Sequence, residues 1–422
     1  MRVSEKSGSD VASTEGPVKD VGAQKGTNVV SPSTDHKPNL SVQLFWSPEE
    51  KSTNHRSMQK LFPSRTIEAG GQPHPLPRDE NITFNYRVGD VTYNVDDFFQ
   101  RARISGLLVI KNGHIVFERY GNGYSDRDLG DSRSMAKSMT SVMLGLALKD
   151  GYISSLDDVV ETYVPEFKDT LWGKVSLRHL AQGLSGVPFW EIYDDKSDLT
   201  DMLECVCEDR PRALLPLLVH VGSRTGEEIQ PGSHFKYSSA DSTVMAIVVE
   251  RAAGKQFTCY LSERVWKPFG MESDGYWLVA KEGGFTYGES GFGATLRDYG
   301  RMGLYLLHNG VLPDGTNTLP DGYMREATTP SLPSIESKSP YGYYWWLDSW
   351  WQNDREARGE VMSEPMLGAE STFYALGNSG QLLMVNPMEN LVMVKWAATD
   401  TYSAAGRVDT VEAIISIVKQ LH

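Results

Sequence analysis

Residues 134–153, SMAKSMTSVMLGLALKDGYI, restrict the possible folds of this chain more than any other segment. They have the composition of one helix, and their apolar side chains cover the whole circumference of that helix instead of a single stripe. Such a helix is stable in water only when other elements cover every side of it. The segment therefore predicts a central, buried helix, and 422 residues are enough to build a large core around it.

Strands are predicted on both sides of a helical region. Two β-rich runs, Leu107–Lys111 and His114–Tyr120, flank Asn112-Gly113, a dipeptide that favours the positive φ angles of a two-residue hairpin turn. Late in the chain, YGYYWWLDSWW, GQLLMVNP and LVMVKWA are typical of strands. The segments LRHLAQGLSG, DSTVMAIVVERAAG and LRDYGRMGLYLLHNG, which lie between, are typical of helices. This order indicates a mixed α/β domain formed from both chain ends, with a mostly helical domain inserted.

These patterns divide the chain into four predicted segments. Residues 1–40 are polar, with almost nothing to bury, and we expect a flexible tail. Residues 41–155 should form an irregular, turn-rich arm as far as residue 90, followed by the first part of the α/β domain with the buried helix. Residues 156–290 should form the inserted helical domain. Residues 291–422 should complete the α/β domain and end in an amphipathic helix, GRVDTVEAIISIVKQLH.

The charge balance restricts the partners of the chain. The formal net charge is −14, and an acidic surface repels nucleic acid and anionic membranes. We therefore expect a small-molecule ester or amide as the partner, with no nucleic acid and no membrane, and a homodimer is left open. The first residues show no signal peptide and no window is apolar enough to span a bilayer, so a cytoplasmic location is expected.

No metal or cofactor is expected. Cys205 and Cys207 are separated by one residue, unlike the two-residue spacing of zinc and thioredoxin motifs, and no histidines cluster nearby. We expect these two cysteines and Cys259 to be reduced thiols. The nine histidines never form H-x-x-E-H or H-E-x-x-H, which argues against a metallohydrolase.

The first four residues of the predicted buried helix form a candidate nucleophile motif. Ser134 and Lys137 lie three residues apart, on one face of a helix, so the amine can reach the hydroxyl. The helix N-terminus favours a developing oxyanion, and partial burial should lower the pKa of the lysine and make it a general base. The same Ser-x-x-Lys spacing occurs at Ser57, Ser233 and Ser416, but only Ser134 follows a loop and opens a strongly apolar helix.

Two later segments strengthen this hypothesis. FKYSSADSTVMAIVVERAAG places Tyr237 just before a helix, where a phenol can pass a proton to a leaving group. TFYALGNSGQLLMVNP places Gly377–Gly380 at the start of an apolar strand, where glycine permits the close approach of a ligand. Taken singly, these segments are more simply a structural tyrosine and a turn. Their combination with the nucleophile motif indicates a site.

In this order the three segments resemble the serine β-lactamase and penicillin-binding superfamily, where Ser-x-x-Lys precedes Tyr-x-Asn or Tyr-x-Ser and then Lys-Thr-Gly or a glycine-rich substitute. The resemblance covers residues from about 100 to about 420 and looks closest to the 6-aminohexanoate-dimer (nylon oligomer) hydrolases and related carboxylesterases. It implies a β-lactamase/DD-peptidase-like α/β (α+β) fold, an antiparallel sheet flanked by helices. It also implies a serine hydrolase that cleaves small esters or amides through an acyl-enzyme, without a cofactor.

The resemblance implies a catalytic role for each matching residue. Ser134 would be the nucleophile, Lys137 the general base, and Tyr237 the proton shuttle that also tunes Lys137. The backbone N–H groups of Ser134 and Gln381 would form the oxyanion hole.

The resemblance also implies a set of substrate-binding residues. Tyr193 lies in GLSGVPFWEIYDDKSDL, which is similar to a mobile loop beside the pocket in the nylon-oligomer branch. Ser239 stands where Asn is frequent in β-lactamases, and Asn378 stands where the Lys of Lys-Thr-Gly would be. Gly380 and Gln381 complete the set. Because Asn378 carries no charge, a β-lactam carboxylate would lose its cationic partner there, which disfavours antibiotic turnover.

Two alternative functions remain open on this fold. One is a β-lactamase or DD-peptidase-like activity, and the other is a binding or sensor domain that has lost turnover. The presence of Ser134, Lys137 and Tyr237 together favours an enzyme, because a domain without turnover need not keep all three.

Overall fold

The computed structural model describes residues 40–79, 81–194, 196–205, 213–224, 229–281, 284–347, 366–399 and 404–422. The predicted flexible tail, apart from Leu40, and Cys207 lie outside these residues. Within them, no helix is long and apolar enough to cross a membrane.

The strands of the described residues form three sheets. They are β1 Ser64–Ile67, β2 Asn85–Val88, β3 Val91–Asn94, β4 Ile104–Lys111, β5 His114–Tyr120, β6 Gly130–Asp131, β7 Gly275–Leu278, β8 Phe292–Ala294, β9 Trp346–Leu347, β10 Phe373–Gly377, β11 Gln381–Asn386 and β12 Leu391–Ala397. The largest sheet is antiparallel and has the order β5-β4-β12-β11-β10-β9, so that β4 and β12 bring early and late parts of the chain together. The predicted antiparallel sheet is thereby confirmed.

The hairpin between β4 and β5 has the turn that its sequence predicts. Asn112 and Gly113 have φ angles of 51° and 81°, and Lys111 pairs with His114 across them. Two consecutive positive φ angles match the right-handed twist of the flanking strands.

The two smaller sheets contain strands that the sequence analysis did not predict. One has the order β1-β7-β8-β6, and the other is the pair β2-β3. The expectation of an irregular arm over residues 41–90 is therefore wrong where β1, β2 and two short helices form. These strands are four residues long, too short to show a clear alternation, and β1 finds its partner β7 far along the chain.

The helices cover both faces of the large sheet. They are α1 Pro48–Asn54, α2 Met58–Leu61, α3 Val95–Arg101, α4 Met135–Lys149, α5 Leu177–Ala181, α6 Asp198–Glu204, α7 Leu214–Gly222, α8 Ser239–Ala253, α9 Phe257–Leu261, α10 Lys267–Phe269, α11 Leu296–Leu307, α12 Tyr323–Ala327, α13 Leu332–Glu336 and α14 Ala404–Leu421. Every residue of α4 from Met135 to Ala147 is buried. The predicted central helix is confirmed.

Alternate residues of β4 point to two different cores. Leu108 and Ile110 lie in the core that contains α4 and α11, whereas Leu107 and Val109 lie in a second core under α14. Successive side chains of a strand point to opposite faces. The sheet therefore separates α4 from α14.

The predicted strand YGYYWWLDSWW is wrong over most of its described part. Only Trp346–Leu347 is a strand, and residues 348–351 lie outside the described residues. Tyr344 has a φ of 59°, which interrupts an extended conformation. The segment is buried all the same: Tyr341, Tyr343 and Trp345 are each less than 3% exposed.

Candidate active site

Ser134 is the N-cap residue of the buried helix α4. Arg133, directly before it, has a φ of 49°, a left-handed conformation that costs energy for a non-glycine residue. Two hydrogen bonds between Ser132 and Phe292 fix this turn. The Ser132 N–H donates to the carbonyl of Phe292 at 2.7 Å, and the Ser132 hydroxyl accepts from the Phe292 N–H at 3.2 Å. A strained and fixed turn thus presents the Ser134 hydroxyl at the end of the helix.

Lys137 lies one turn further along α4 and reaches back to Ser134. Its Nζ donates to Ser134 Oγ at 3.1 Å and to the carbonyl oxygen of Glu289 at 3.3 Å. A carboxylate oxygen of Glu289 lies 3.6 Å from the same Nζ. The Ser-x-x-Lys spacing therefore brings the predicted amine and hydroxyl together, as helix geometry requires.

The charge state of Lys137 differs from the expectation. Burial alone would lower its pKa, but the neighbouring Tyr237, Glu289 and Glu191 outweigh burial and raise the pKa above its ordinary value. Lys137 is 1% exposed, so water screens its interactions with these neighbours only weakly. The sequence predicted the burial correctly. It could not show that two buried carboxyl groups surround the amine.

Tyr237 closes the site over Lys137. The Nζ of Lys137 lies 4.7 Å from the centre of the Tyr237 ring, and the ring stacks on Trp346 at 5.5 Å. Burial raises the pKa of the Tyr237 phenol, while its hydrogen bonds with Ser134 and Lys137 act in the opposite direction. The phenol is therefore neutral and interacts with both Ser134 and Lys137.

The glycine-rich turn lies against residues 132–134, which form the predicted nucleophile loop. It joins β10 to β11, and Ser379 and Gly380 in it have φ angles of 65° and 90°. A side chain at Gly377 would place its Cβ 2.3 Å from the carbonyl oxygen of Ser132, so only glycine fits there. Gln381, which follows the turn, is anchored because its amide donates to the carbonyl of Ala397 at 2.6 Å.

A cavity of about 360 Å³ brings most of the sequence-predicted residues together. Its lining includes Ser134, Tyr193, Tyr237, Asn378, Gly380 and Gln381. Lys137 lies behind Ser134. Ser239 lines a smaller cavity that shares Ser134, Tyr193 and Asn378 with the large one.

Ser239 makes a contact that the sequence did not reveal. Its hydroxyl donates to one carboxylate oxygen of Glu191 at 2.8 Å, and its N–H donates to the other oxygen at 2.5 Å. Burial raises the pKa of the Glu191 carboxyl, and Lys137 opposes that change. Glu191 therefore fixes the start of α8 beside Lys137.

Lys395 is a second buried cation that the sequence analysis missed. It lies on β12, is 3% exposed, and lines the same cavity as Ser134. Its Nζ would be 3.5 Å from a Cβ added at Gly380. The expectation that the turn has no cation holds for Asn378 itself, but the neighbouring strand supplies one behind the turn. The sequence did contain one signal for this buried lysine, because Lys395 is the single charged residue in the apolar run LVMVKWA.

In the described part of the chain, no group of three or more His, Cys, Asp or Glu side chains could hold a metal ion. The described cysteines, Cys205 and Cys259, are free thiols. The chemistry that this arrangement offers is a hydroxyl with an amine and a phenol beside it.

Known proteins resemble this chain over most of its length. The model of the β-lactamase family matches residues 92–415. A 6-aminohexanoate-dimer hydrolase of Paenarthrobacter ureafaciens is 26% identical over 343 residues, which are 75% of this chain and 79% of that protein.

Solved structures show the same fold. A Bacillus anthracis protein assigned as a 6-aminohexanoate-dimer hydrolase superposes with a TM-score of 0.76 at 21% identity, covering 93% of this chain and 99% of its own. A penicillin-binding protein of Bacillus halodurans gives a TM-score of 0.56 at 19% identity, with 75% of this chain and 98% of that chain covered.

Proposed function

Because this chain belongs to the β-lactamase family and is a serine hydrolase of that fold, we propose that it cleaves small esters and amides through an acyl-enzyme on Ser134. The family and fold predicted from the sequence are confirmed. The single observation that carries the proposal is the 3.1 Å contact between Lys137 Nζ and Ser134 Oγ at the edge of a cavity.

In the proposed mechanism, Ser134 Oγ attacks the carbonyl carbon and its proton passes to Lys137. Lys137 accepts a proton only in molecules where the amine is neutral, and its raised pKa makes these the minority at neutral pH. Tyr237 donates a proton to the leaving group. Water then hydrolyses the acyl-enzyme by the reverse sequence of proton transfers.

The oxyanion of the tetrahedral intermediate is assigned to the backbone N–H groups of Ser134 and Gln381. Both residues line the cavity, and the N-terminus of α4 adds a favourable dipole at Ser134. The fixed turns on either side, at Arg133 and Gly380, hold the two N–H groups before the reaction begins.

The proposed substrates are linear molecules with an apolar chain. The relative of Paenarthrobacter ureafaciens is named for the dimer of 6-aminohexanoate, a linear amide. The cavity of this chain is lined by the apolar side chains of Met366, Leu376, Leu382, Val411 and Ile414, which suits a chain of methylene groups. Tyr193 is the proposed contact from the loop.

The proposal is tested with p-nitrophenyl acetate and a fluorophosphonate probe. Ser134→Ala should lose labelling and several orders of magnitude in kcat. Ser57→Ala is the matched control, because Ser57 has the same Ser-x-x-Lys spacing and makes no side-chain cap in its helix. Labelling and turnover of Ser134→Ala at the level of the control would overturn the proposal.

A further inference from the structure

Lys395 is held where the cavity meets the glycine-rich turn and α14. Its Nζ donates to the hydroxyl of Thr410 on α14 at 2.7 Å, and it lies close to Gly380. Leu382, its partner across the β11–β12 ladder, also lines the cavity. The ammonium group is therefore buried beside the space in which a substrate would bind.

The buried ammonium group of Lys395 has few hydrogen-bond and charge partners within the protein. Thr410 takes one of its three N–H donors, and in the described part of the chain no carboxylate lies within 4.0 Å of it. The acid that acts on its charge is Asp409. One oxygen of Asp409 accepts from the Tyr86 hydroxyl at 2.7 Å and from Arg101 Nε at 2.8 Å, and the other oxygen has no hydrogen-bond partner in the described part of the chain, so Lys395 is not among the donors to this carboxylate. A buried cation with unused donors is costly unless a ligand supplies the anion.

Positive groups are concentrated on this side of the cavity. Arg407 and Thr399 line it together with Lys395, and Lys51 donates to the Thr399 carbonyl at 3.3 Å. Glu191 and Glu289 lie next to Lys137 instead. These carboxyl groups balance the charge of Lys137, so a negatively charged ligand group is attracted more strongly to Lys395.

Between Ser134 and Lys395 the cavity is lined by apolar side chains. Leu376, Leu382, Val411 and Ile414 line the cavity together with Ser134 and Lys395. An acyl group whose carbonyl sits at Ser134 and Gln381 can extend over these side chains and place an anion at Lys395.

We propose that Lys395 binds a free carboxylate on the acyl chain of the substrate, so that half-esters and half-amides of linear dicarboxylic acids are preferred over uncharged acyl chains. This inference rests on the proposed Ser134 hydrolase. It deepens that proposal by naming the substrate class.

The binding should depend on pH. Burial lowers the pKa of Lys395 to about 7, and Asp409 acts in the opposite direction. The other charged groups that face this region are Arg407 on α14, Arg101 on α3 through Asp409, and Lys51 on α1 through Thr399. Lys395 is therefore an ammonium below pH 7, while a carboxylate with a pKa of about 4.3 is ionised above pH 5. The preference for acyl chains that carry a carboxylate should be largest between pH 5 and pH 7 and should fall above pH 8.

A matched pair of substrates tests the proposal. The mono-p-nitrophenyl ester of adipic acid and p-nitrophenyl hexanoate differ by one terminal carboxylate. Lys395→Met should lower kcat/KM for the charged ester at pH 6 on the order of 10–100-fold and leave the uncharged ester nearly unchanged. Lys395→Arg should retain most of the preference.

Lys111→Met is the control variant, because Lys111 lies on the adjacent strand β4, pairs with Glu389 at 3.0 Å, and does not line the cavity. It should leave the ratio of the two kcat/KM values unchanged. An equal loss for both esters in Lys395→Met, or a wild-type ratio that does not change between pH 6 and pH 8.5, would overturn the proposal.

A binding measurement separates this proposal from that of the hydrolase. Adipate is titrated calorimetrically into Ser134→Ala at pH 6, with and without Lys395→Met, after thermal melting has shown that each variant is folded. Binding that is lost with Lys395→Met supports the carboxylate site even if neither ester is hydrolysed. Absence of adipate binding to Ser134→Ala contradicts it even if p-nitrophenyl hexanoate is hydrolysed. If Lys395→Met does not fold, the pH dependence of adipate binding to Ser134→Ala tests the proposal instead. Binding that weakens above pH 8 supports it, and binding that does not change contradicts it.

Discussion

A carboxylate oxygen of Glu289 lies 3.6 Å from the Nζ of Lys137, and both side chains are buried. Opposite charges at this distance stabilise each other strongly when water is excluded. The pair keeps Lys137 in its ammonium form, together with Tyr237 and Glu191. Because its raised pKa keeps Lys137 protonated at neutral pH, the proposed general base must lose one proton before it can act.

Removal of the Glu289 charge should shift the pH dependence of the reaction. Without that carboxylate the pKa of Lys137 falls, so the neutral amine appears at lower pH. We expect wild-type kcat/KM to rise with pH through the alkaline range, and Glu289→Gln to move this rise to lower pH. The measurement is the pH profile of kcat/KM for p-nitrophenyl acetate. A rise that moves to higher pH, or does not move, would contradict the assignment of Lys137 as the base.

A control for this shift is Glu389→Gln, which removes a carboxylate in the turn between β11 and β12, where it pairs with Lys111 at 3.0 Å. The profile of Glu389→Gln should coincide with that of the wild type. A common shift in both variants would point to the net charge of the protein instead of a contact with Lys137.

Tyr237→Phe should lower kcat by about 10²–10⁴-fold, because it removes a positioned proton donor. The ring stacking on Trp346 is retained, so the melting temperature should change little. Steady-state kinetics on an ester and an amide, with a thermal melt of each protein, measure both effects. Normal rates on both substrates would make Tyr237 a structural residue.

The parts of the fold that the sequence predicted are those with local signals. Asn112-Gly113 favours a hairpin turn through its own backbone preferences. The side chains of α4 are apolar on every side, so this helix must be buried whatever its partners are. The contact of Ser134 with Lys137 follows from helix geometry within one turn. The short strands β1 and β7 carry no such signal, because each is completed by a partner distant in the sequence.

The charges around the site could not be predicted in the same way. Glu191, Glu289 and Lys395 come from different loops and strands, and only the tertiary fold places them near Ser134. For this reason the pKa of Lys137 was expected to be lowered by burial, while its actual neighbours raise it. A lone lysine within an apolar strand or a glutamate in a loop has many structural uses, so neither is specific by itself.

Gly377→Ala tests whether the glycine-rich turn is part of the site. The new Cβ would lie 2.3 Å from the Ser132 carbonyl oxygen and 3.0 Å from Arg133 Cβ, so the turn must move away from the nucleophile loop. A displacement near 1 Å can cost about 10²-fold in rate, and we expect a loss of this size in kcat. Gly70→Ala is the control, since its Cβ would meet only the flexible side chain of Lys267 at 3.4 Å. Equal activities of the two variants would separate the turn from catalysis.

Asp241, near the start of α8, should make the protein less stable as pH rises. Burial raises its pKa to about 7, although hydrogen bonds with Ser238 and Ser185 act in the opposite direction. The folded state therefore holds a proton that the unfolded chain releases near pH 4, and the free energy of unfolding falls by about 1.4 kcal/mol for each pH unit between these values. One of its oxygens accepts from Ser185 at 2.9 Å, and the other has no partner in the described part of the chain.

Asp241→Asn resembles the protonated carboxyl in shape and cannot ionise. We expect the variant to match the wild type near pH 4 and to become progressively more stable than it up to pH 7, with a constant difference above that. Urea unfolding at several pH values measures the difference directly, and carboxyl groups elsewhere cancel because both proteins contain them. A difference that is flat from pH 4 to pH 7 would show that Asp241 ionises normally despite its burial, whereas a difference that falls with pH would reverse the sign argued here.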